Sequence, residues 1–441
     1  MSHDAPHVAP AALVRARASR LAGSLTAAGV GPGDRVVVAL PNSVDLLAAV
    51  WGCVATGRVP VPLDPRLTPT ERDPIVAEVE PAATLDSAAA VEALIGDGEP
   101  EPLADVPLCR PMHFTSGTTG RPKGVWSGIW DLAEASAAVA EERELWGFAE
   151  TDVNLVVSPL YHSAPLRFAL GTVLAGGSVA VLPVFTADGF AEATRRLRPT
   201  TMFCVPAHLQ RLFAHLDGGA GLDVSSFRLV AHAGAPCPDP IRRRAYEVFG
   251  TDVVWEFYGS TEGQFTACPA PQWLARPGTV GTARPGRTIT VDEDGELWCT
   301  VPPWGRFEYW RSSERTAEVW RDTPDGPAFT VGDLGRVDDD GFVFLDARRT
   351  DLVITGGVNV YPAEVESVLS RVPGVVEVAV HGRPDERWGQ RVCATWVGEA
   401  TEDALRAAAD RHLAPPKRPK EYLRADALPR TGTGKILRRS L

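Results

Sequence analysis

Apolar residues recur at helical spacing from Ala11 to Ala28 and stop at Gly29, which predicts an opening helix. A turn at Gly31 to Asp34 leads into the β-branched run Val36 to Leu40, which predicts a strand. Pro41, Asn42 and Ser43 then supply the cap of a second helix, Val44 to Gly57, followed by a short strand at Val59 to Val61. Strand, helix and strand in this order predict a layered α/β domain. Between Asp73 and Cys109 the chain is rich in Ala, Glu and Pro with weak periodicity, and the pattern predicts no element there.

Further on, Ile129 to Leu145 has helical spacing, and strands are predicted at Asn154 to Ser158, Thr200 to Val205 and Leu229 to Ala233. The apolar run Phe168 to Phe185 is long enough to suggest a membrane span, but Gly176, Gly177 and Ser178 interrupt it and Pro183 ends it. A helix, a turn and a short strand account for it better. Gly341 to Leu345 predicts a hairpin strand. Beyond it, a helix opening within Gly356 to Glu366 and strands at Val376 to Val380 and Val392 to Val397 predict a second, small α/β domain.

Composition narrows the class. A chain of 441 residues exceeds one ordinary core, and 44% hydrophobic with 23% charged residues suits globular domains. A net charge of −12 argues against a nucleic-acid face, which relies on clustered Lys and Arg. The seven cysteines are scattered singly with no C-x-x-C, as expected of buried thiols in a reducing cytoplasm rather than of disulfides or a zinc site. The opening MSHDAPHVAP has neither basic nor apolar region, so no signal peptide is expected.

One stretch stands apart chemically: His113 to Val125, HFTSGTTGRPKGV. Thr115, Ser116, Gly117, Thr118, Thr119 and Gly120 precede Lys123, and such a loop can turn N–H groups, hydroxyls and a mobile cation toward a phosphate. It is not a Walker A loop, since Pro122 stands where that motif needs glycine and Gly124 where it needs Ser or Thr. The segment Leu428 to Leu437, LPRTGTGKIL, fails the same pattern at Pro429. The strand ending at Ser158 runs into Pro159-Leu-Tyr-His162, at the edge where open α/β sheets bind ligands, so His162 either borders a ligand or is a structural histidine.

The loop ending in PKG, the segment Tyr258 to Gly263 (YGSTEG), Asp333 between glycines, Arg348 in DARRTD, and Lys435 near the terminus resemble, in order, the motifs of the adenylate-forming superfamily. That superfamily includes acyl-CoA synthetases, peptide-synthetase adenylation domains and luciferases. The resemblance implies a large α/β N-terminal domain, 1–349, with the acyl pocket, and a small mobile α+β C-terminal domain, 350–441. It implies two half-reactions, in which a carboxylate is activated by ATP to acyl-AMP and the acyl group passes to the thiol of coenzyme A. On it, residues Thr115 to Gly120 and Lys123 hold the outer phosphates, and Gly234, Ala235, Pro236, Glu256 and Tyr258 form the nucleotide site, Tyr258 offering its face to adenine. Thr261 meets the α-phosphate, Glu262 with Thr118 the magnesium ion, and Asp333 and Arg348 the ribose. Lys435 is the adenylation catalyst, and His162, Ala207, His232, Gly259 and Phe265 line the acid pocket. Thr350 marks the hinge, where lysine or aspartate is common, and Ala347 replaces a common glycine.

The acid expected is neutral-tailed, because the aspartate that would pair an amino acid's ammonium is absent after Tyr161-His162-Ser163. A carrier-protein phosphopantetheine is the alternative acceptor. An inactive nucleotide-binding homologue is the reading from another class. No nucleic-acid partner and no membrane span are expected.

Overall fold

A computed structural model describes residues 8–116, 122–219, 221–234, 237, 239–293, 295–348, 353–360, 362–429, 438 and 441. At its centre, strands Ser178–Val181, Val153–Val156, Thr201–Cys204, Leu229–His232 and Val254–Glu256 lie side by side and parallel. Each reads as a near-continuous apolar run because both of its faces are covered by helices. Antiparallel strands Thr266–Pro269, Thr279–Ala283, Phe342–Arg348 and Asp333–Val337 extend the sheet beyond Val254–Glu256.

The strand order positions the site. From Val153–Val156 the chain passes through helix Ser163–Leu174 to one neighbour, Ser178–Val181, then crosses to the other, Thr201–Cys204. The winding therefore reverses at Val153–Val156, and the crevice outside the carboxyl ends of such strands is where open α/β sheets bind ligands. Tyr161 and His162 emerge there, as does the turn after Val254–Glu256.

The opening segment forms a separate three-stranded parallel sheet, Val59–Pro62, Arg35–Val38 and Ala83–Leu85. Helix Val44–Val54 is buried along almost its whole length, and Ser43 caps it by accepting from the Leu46 N–H at 3.2 Å. The stretch without a predicted element holds helices Pro69–Val79 and Ala88–Asp97. Only two residues of each are buried, Ile75 with Val79 and Val91 with Ile95, so neither carries a readable apolar stripe. The Phe168 to Phe185 run resolves into helix Ser163–Leu174 and strand Ser178–Val181, joined through Gly176 at φ +90°. Among the described residues no helix is long and apolar enough to cross a membrane.

The small domain has its own core. Hairpin strands Val375–Asp385 and Gly389–Gly398 pair with Glu421–Arg424 and pack under helices Pro362–Leu369 and Glu402–His412. All seven cysteines are buried and free.

Helix Ser163–Leu174 is anchored by Phe168, fully buried among Trp146, Phe148, Phe203 and Phe257. Phe168→Ala should destabilise the large domain by about 3–5 kcal/mol. Chemical denaturation followed by tryptophan fluorescence measures this, and a shift under about 1 kcal/mol would contradict the packing described.

Candidate active site

A cavity of about 510 Å³ opens at the carboxyl edge of the sheet, and the YGSTEG segment forms one wall. This segment is a tight turn: Gly259 bridges Gln264, and the Ser260 N–H donates to the Gly263 carbonyl at 2.8 Å. A Cβ on Gly259 would stand 2.9 Å from that carbonyl oxygen, so glycine is required by close approach. From behind, Arg110 donates to the carbonyls of Thr261 at 2.7 Å and Glu262 at 3.1 Å. Nothing in the sequence around Arg110 signals this role.

Glu262, Thr261, Gly259, Lys123, His162, Gly234 and Asp333 all line the cavity. Tyr309 donates its hydroxyl to Glu262 Oε1 at 3.0 Å, and the Lys123 Nζ lies 4.5 Å from the centre of the Tyr309 ring. Burial lowers the pKa of Lys123 while Glu262 pulls it back up. Asp333 accepts from the Tyr258 hydroxyl at 2.5 Å. Tyr258 itself does not line the cavity, because one face of its buried ring stacks on Phe265 at 4.7 Å. Its hydroxyl supports Asp333.

His162 opens onto the cavity with its side chain exposed, and desolvation by the protein around it lowers its pKa below the usual imidazole value. Beside it, Tyr161 receives a hydrogen bond from Arg66, which Asp64 holds on both sides. The His113 Nδ1–H donates to the Tyr161 carbonyl at 3.1 Å, and burial drives its pKa to about 3. A second cavity of about 200 Å³ runs inward from here, past Ser163 and Leu166, and Ser260 lines both.

Four expected site residues are placed elsewhere. His232 is fully buried within its strand, its ring nitrogens without hydrogen-bond partners, and burial drives its pKa to about 3. Its registered neighbour Glu256 faces Arg242, whose Nη2 donates to it at 3.0 Å. Burial raises Glu256 to about 7 despite that guanidinium. Ala207 is buried at the start of helix Pro206–Asp217, and Phe265 is covered by Tyr258 and Phe329. None of the four lines either cavity, because alternation along a strand and the helix-facing side turn them into the core.

Thr115 and Ser116 lie in strand His113–Ser116, Thr115 registered with Lys123, and Arg348 lies opposite Asp333. Gly117, Thr118, Thr119, Gly120, Ala235, Pro236, Thr350 and Lys435 lie outside the described residues. The small domain contributes Gly357, Val358 and Asn359 to the cavity, together with Ala414 and Lys417. Lys417 ion-pairs with Glu364 at 2.7 Å and, across the domains, with Glu71 at 3.6 Å. Glu71 also accepts from the Ala414 N–H at 2.7 Å and closes the cap of its own helix through the Thr68 N–H at 3.0 Å. Among the described residues no three His, Cys, Asp or Glu side chains form a metal cluster, so a cation here would need oxygens beyond the carboxylate of Glu262.

Against known proteins, residues 12–304 match the AMP-binding enzyme family, and residues 364–435 match the AMP-binding enzyme C-terminal domain. A fatty acid–[acyl-carrier-protein] ligase of Streptomyces coeruleorubidus is 33% identical, covering 96% of this chain and 89% of its own. A feruloyl-CoA synthase of an Amycolatopsis species is 36% identical, over 96% and 91%. Among solved structures, a double mutant of the o-succinylbenzoate CoA synthetase of Bacillus subtilis, bound with its product analogue OSB-NCoA, is 26% identical over 98% and 92% with a TM-score of 0.86. The same enzyme in complex with its acyl-adenylate intermediate, also 26% identical, covers 97% and 92% at 0.68. With sequence identity equal, this chain is more similar in overall shape to the product-analogue complex than to the acyl-adenylate complex.

The Glu71 carboxylate ties the domains in this arrangement. Glu71→Gln removes the charge facing Lys417, and hydrogen exchange should accelerate at the Ala414 and Lys417 amides while the central strands stay protected. Unchanged protection at Ala414 would show that the clamp contributes nothing.

Proposed function

The chain belongs to the AMP-binding enzyme family, and from that premise we propose that it is an AMP-forming acid–thiol ligase: it activates a carboxylic acid with ATP and passes the acyl group to coenzyme A. What carries this reading is the cavity where Thr261 and Glu262, braced by Arg110 and Tyr309, face Asp333 with Lys123 alongside.

In the first half-reaction the carboxylate oxygen bonds to the α-phosphorus of ATP and pyrophosphate leaves. Two anions approach each other, so fixed donors must already stand where charge develops. Lys123 and the Thr115 to Gly120 loop take the outer phosphates, Thr261 the α-phosphate, and Asp333 the ribose hydroxyls, with Arg348 beside it on the neighbouring strand. Glu262, with Thr118, would hold magnesium, and one cavity-facing carboxylate fits an ion that takes the rest of its shell from phosphates and water. Bound there, the ion would neutralise phosphate charge. Lys435 meets the acid carboxylate and the bridging oxygen. In the second half-reaction the thiol sulfur bonds to the acyl carbon as the anhydride C–O bond breaks, releasing AMP. His162 lines the cavity through which the acid would enter.

We assign 1–349 and 350–441 to the two domains, with Thr350 as the hinge, and a reducing cytoplasm as the compartment of the seven free thiols. A carrier-protein thiol is the second acceptor to weigh, since the Streptomyces relative is named for one.

Pyrophosphate release over a panel of carboxylic acids tests the reading, with free coenzyme A and a phosphopantetheinylated carrier compared as acceptors. Activity should require magnesium and fall at least about a hundredfold in Glu262→Gln, because an amide binds a hard cation poorly. Activity undiminished by a chelator would count against it. Lys435→Ala should slow adenylate formation by about 3–4 kcal/mol of barrier, the worth of one donor aimed at developing charge. Thioester formation from supplied acyl-AMP should be nearly unaffected, and equal loss in both halves would make Lys435 structural.

A further inference from the structure

The cavity of about 200 Å³ behind Ser260 is the continuation of the acid site in the reading above, and its walls are unlike those of a hydrocarbon pocket. Trp51, Leu166 and Phe148 line part of it, but Arg110, Arg167, Arg284 and Arg287 line the rest, facing Glu141 and Glu142. With the exposed Arg143 at its rim, five guanidinium charges against two carboxylates leave an excess of three positive charges around one small space.

The carboxylates are already engaged. Glu141 accepts from Arg287 at 2.6 Å and from the Trp304 indole at 2.9 Å. Glu142 accepts from Arg284 at 2.7 Å and from the Trp146 indole at 3.0 Å, and although burial opposes it, Arg284 and Arg167 hold its pKa down to about 2. Arg110 is spent on the Thr261 and Glu262 carbonyls. Of the four that are at least partly buried, Arg167 is held least: it ion-pairs with Glu142 and lies 5.4 Å from the centre of the Phe257 ring. Its Nε lies 3.2 Å from Glu142 Oε2 but makes no hydrogen bond, and its buried Nε and Nη2 have no hydrogen-bond partner. The side chain is largely buried, and desolvated N–H groups without acceptors are costly, so an anion beyond Glu142 would complete it. Burial indeed lowers the pKa of Arg167 to about 10, against the pull of Glu142.

Arg167 lies on helix Ser163–Leu174, four residues beyond Ser163, so it sits about 6 Å further along the axis than the mouth of the pocket. A cavity of about 150 Å³ holds a benzene ring. This one therefore takes a short chain or a single ring rather than a long fatty chain. Resting on the ligase reading, we propose that the acid substrate is a compact dicarboxylate, one carboxylate reacting beside Thr261 and the other seated against Arg167. The neutral tail expected from the missing aspartate is thus replaced by an anionic one. That absence excluded an ammonium but said nothing about a guanidinium one helical turn away.

Pyrophosphate-release kinetics test this on malonate, succinate, glutarate, adipate and homophthalate, each beside its monomethyl ester, with propionate, butyrate and benzoate as neutral-tailed controls. The best diacid should exceed its ester in kcat/KM by about ten- to hundredfold, the range expected of a charge-assisted pair. Arg167→Gln should bring that ratio close to unity through KM, and Arg167→Lys should restore part of it. Wild-type enzyme that uses the esters or neutral acids as well as the diacids overturns the proposal and leaves the ligase reading intact. So does a ratio that survives in an Arg167→Gln protein with wild-type melting behaviour. Should Arg167→Gln fail to fold, the wild-type ratio and Arg167→Lys decide. No release with any acid overturns the ligase reading and this proposal with it.

Discussion

The hydrogen bonds from Arg110 to the carbonyls of Thr261 and Glu262 are the constraint on which the site depends. A turn as tight as the one around Gly259 cannot satisfy these carbonyls within a ladder, and buried carbonyls without donors are costly. Arg110 comes from the segment that follows the separate three-stranded sheet. Through it, that segment is tied to the turn that follows strand Val254–Glu256.

Around that turn, two carboxylates are each held by a phenol. Tyr309 fixes Glu262 and Tyr258 fixes Asp333, while Lys123 rests above the Tyr309 ring. Charge placed in this way before a ligand arrives costs no reorganisation when it is used. Behind the same turn, in the arginine-rich cavity, Glu141 and Glu142 bring Arg167, Arg284 and Arg287 close together. Without that pairing such a cluster would not stay buried.

The two domains meet through a comparable economy. Glu71 closes its own helix start, accepts from the Ala414 N–H and faces Lys417, which Glu364 holds from the other side. The pairing is specific to one orientation of the small domain, the one that brings Gly357, Val358 and Asn359 to the cavity. Gly357, at φ +81°, packs so closely on Val205 that an added Cβ would lie 3.1 Å from that side chain.

The sequence by itself determined the alternation of elements, the break in the Phe168 to Phe185 run, the separate small domain and the order of the chemistry-bearing motifs. Those features are local: periodicity, glycine turns and a polar cluster at a strand end are written within a few residues of one another. Helices Pro69–Val79 and Ala88–Asp97 escaped the pattern because each buries only two residues. Which side chains reach the cavity was decided by tertiary structure alone. His232, Glu256, Ala207 and Phe265 face the core, whereas Arg110 and Arg167 stand just outside the motif segments and Tyr309 and Lys417 come from segments without a motif. A strand fixes only the alternation of its two faces, and a helix only the angle between its side chains. Which face meets the cavity depends on how sheet and helices pack across more than a hundred residues, a distance over which no local pattern carries information.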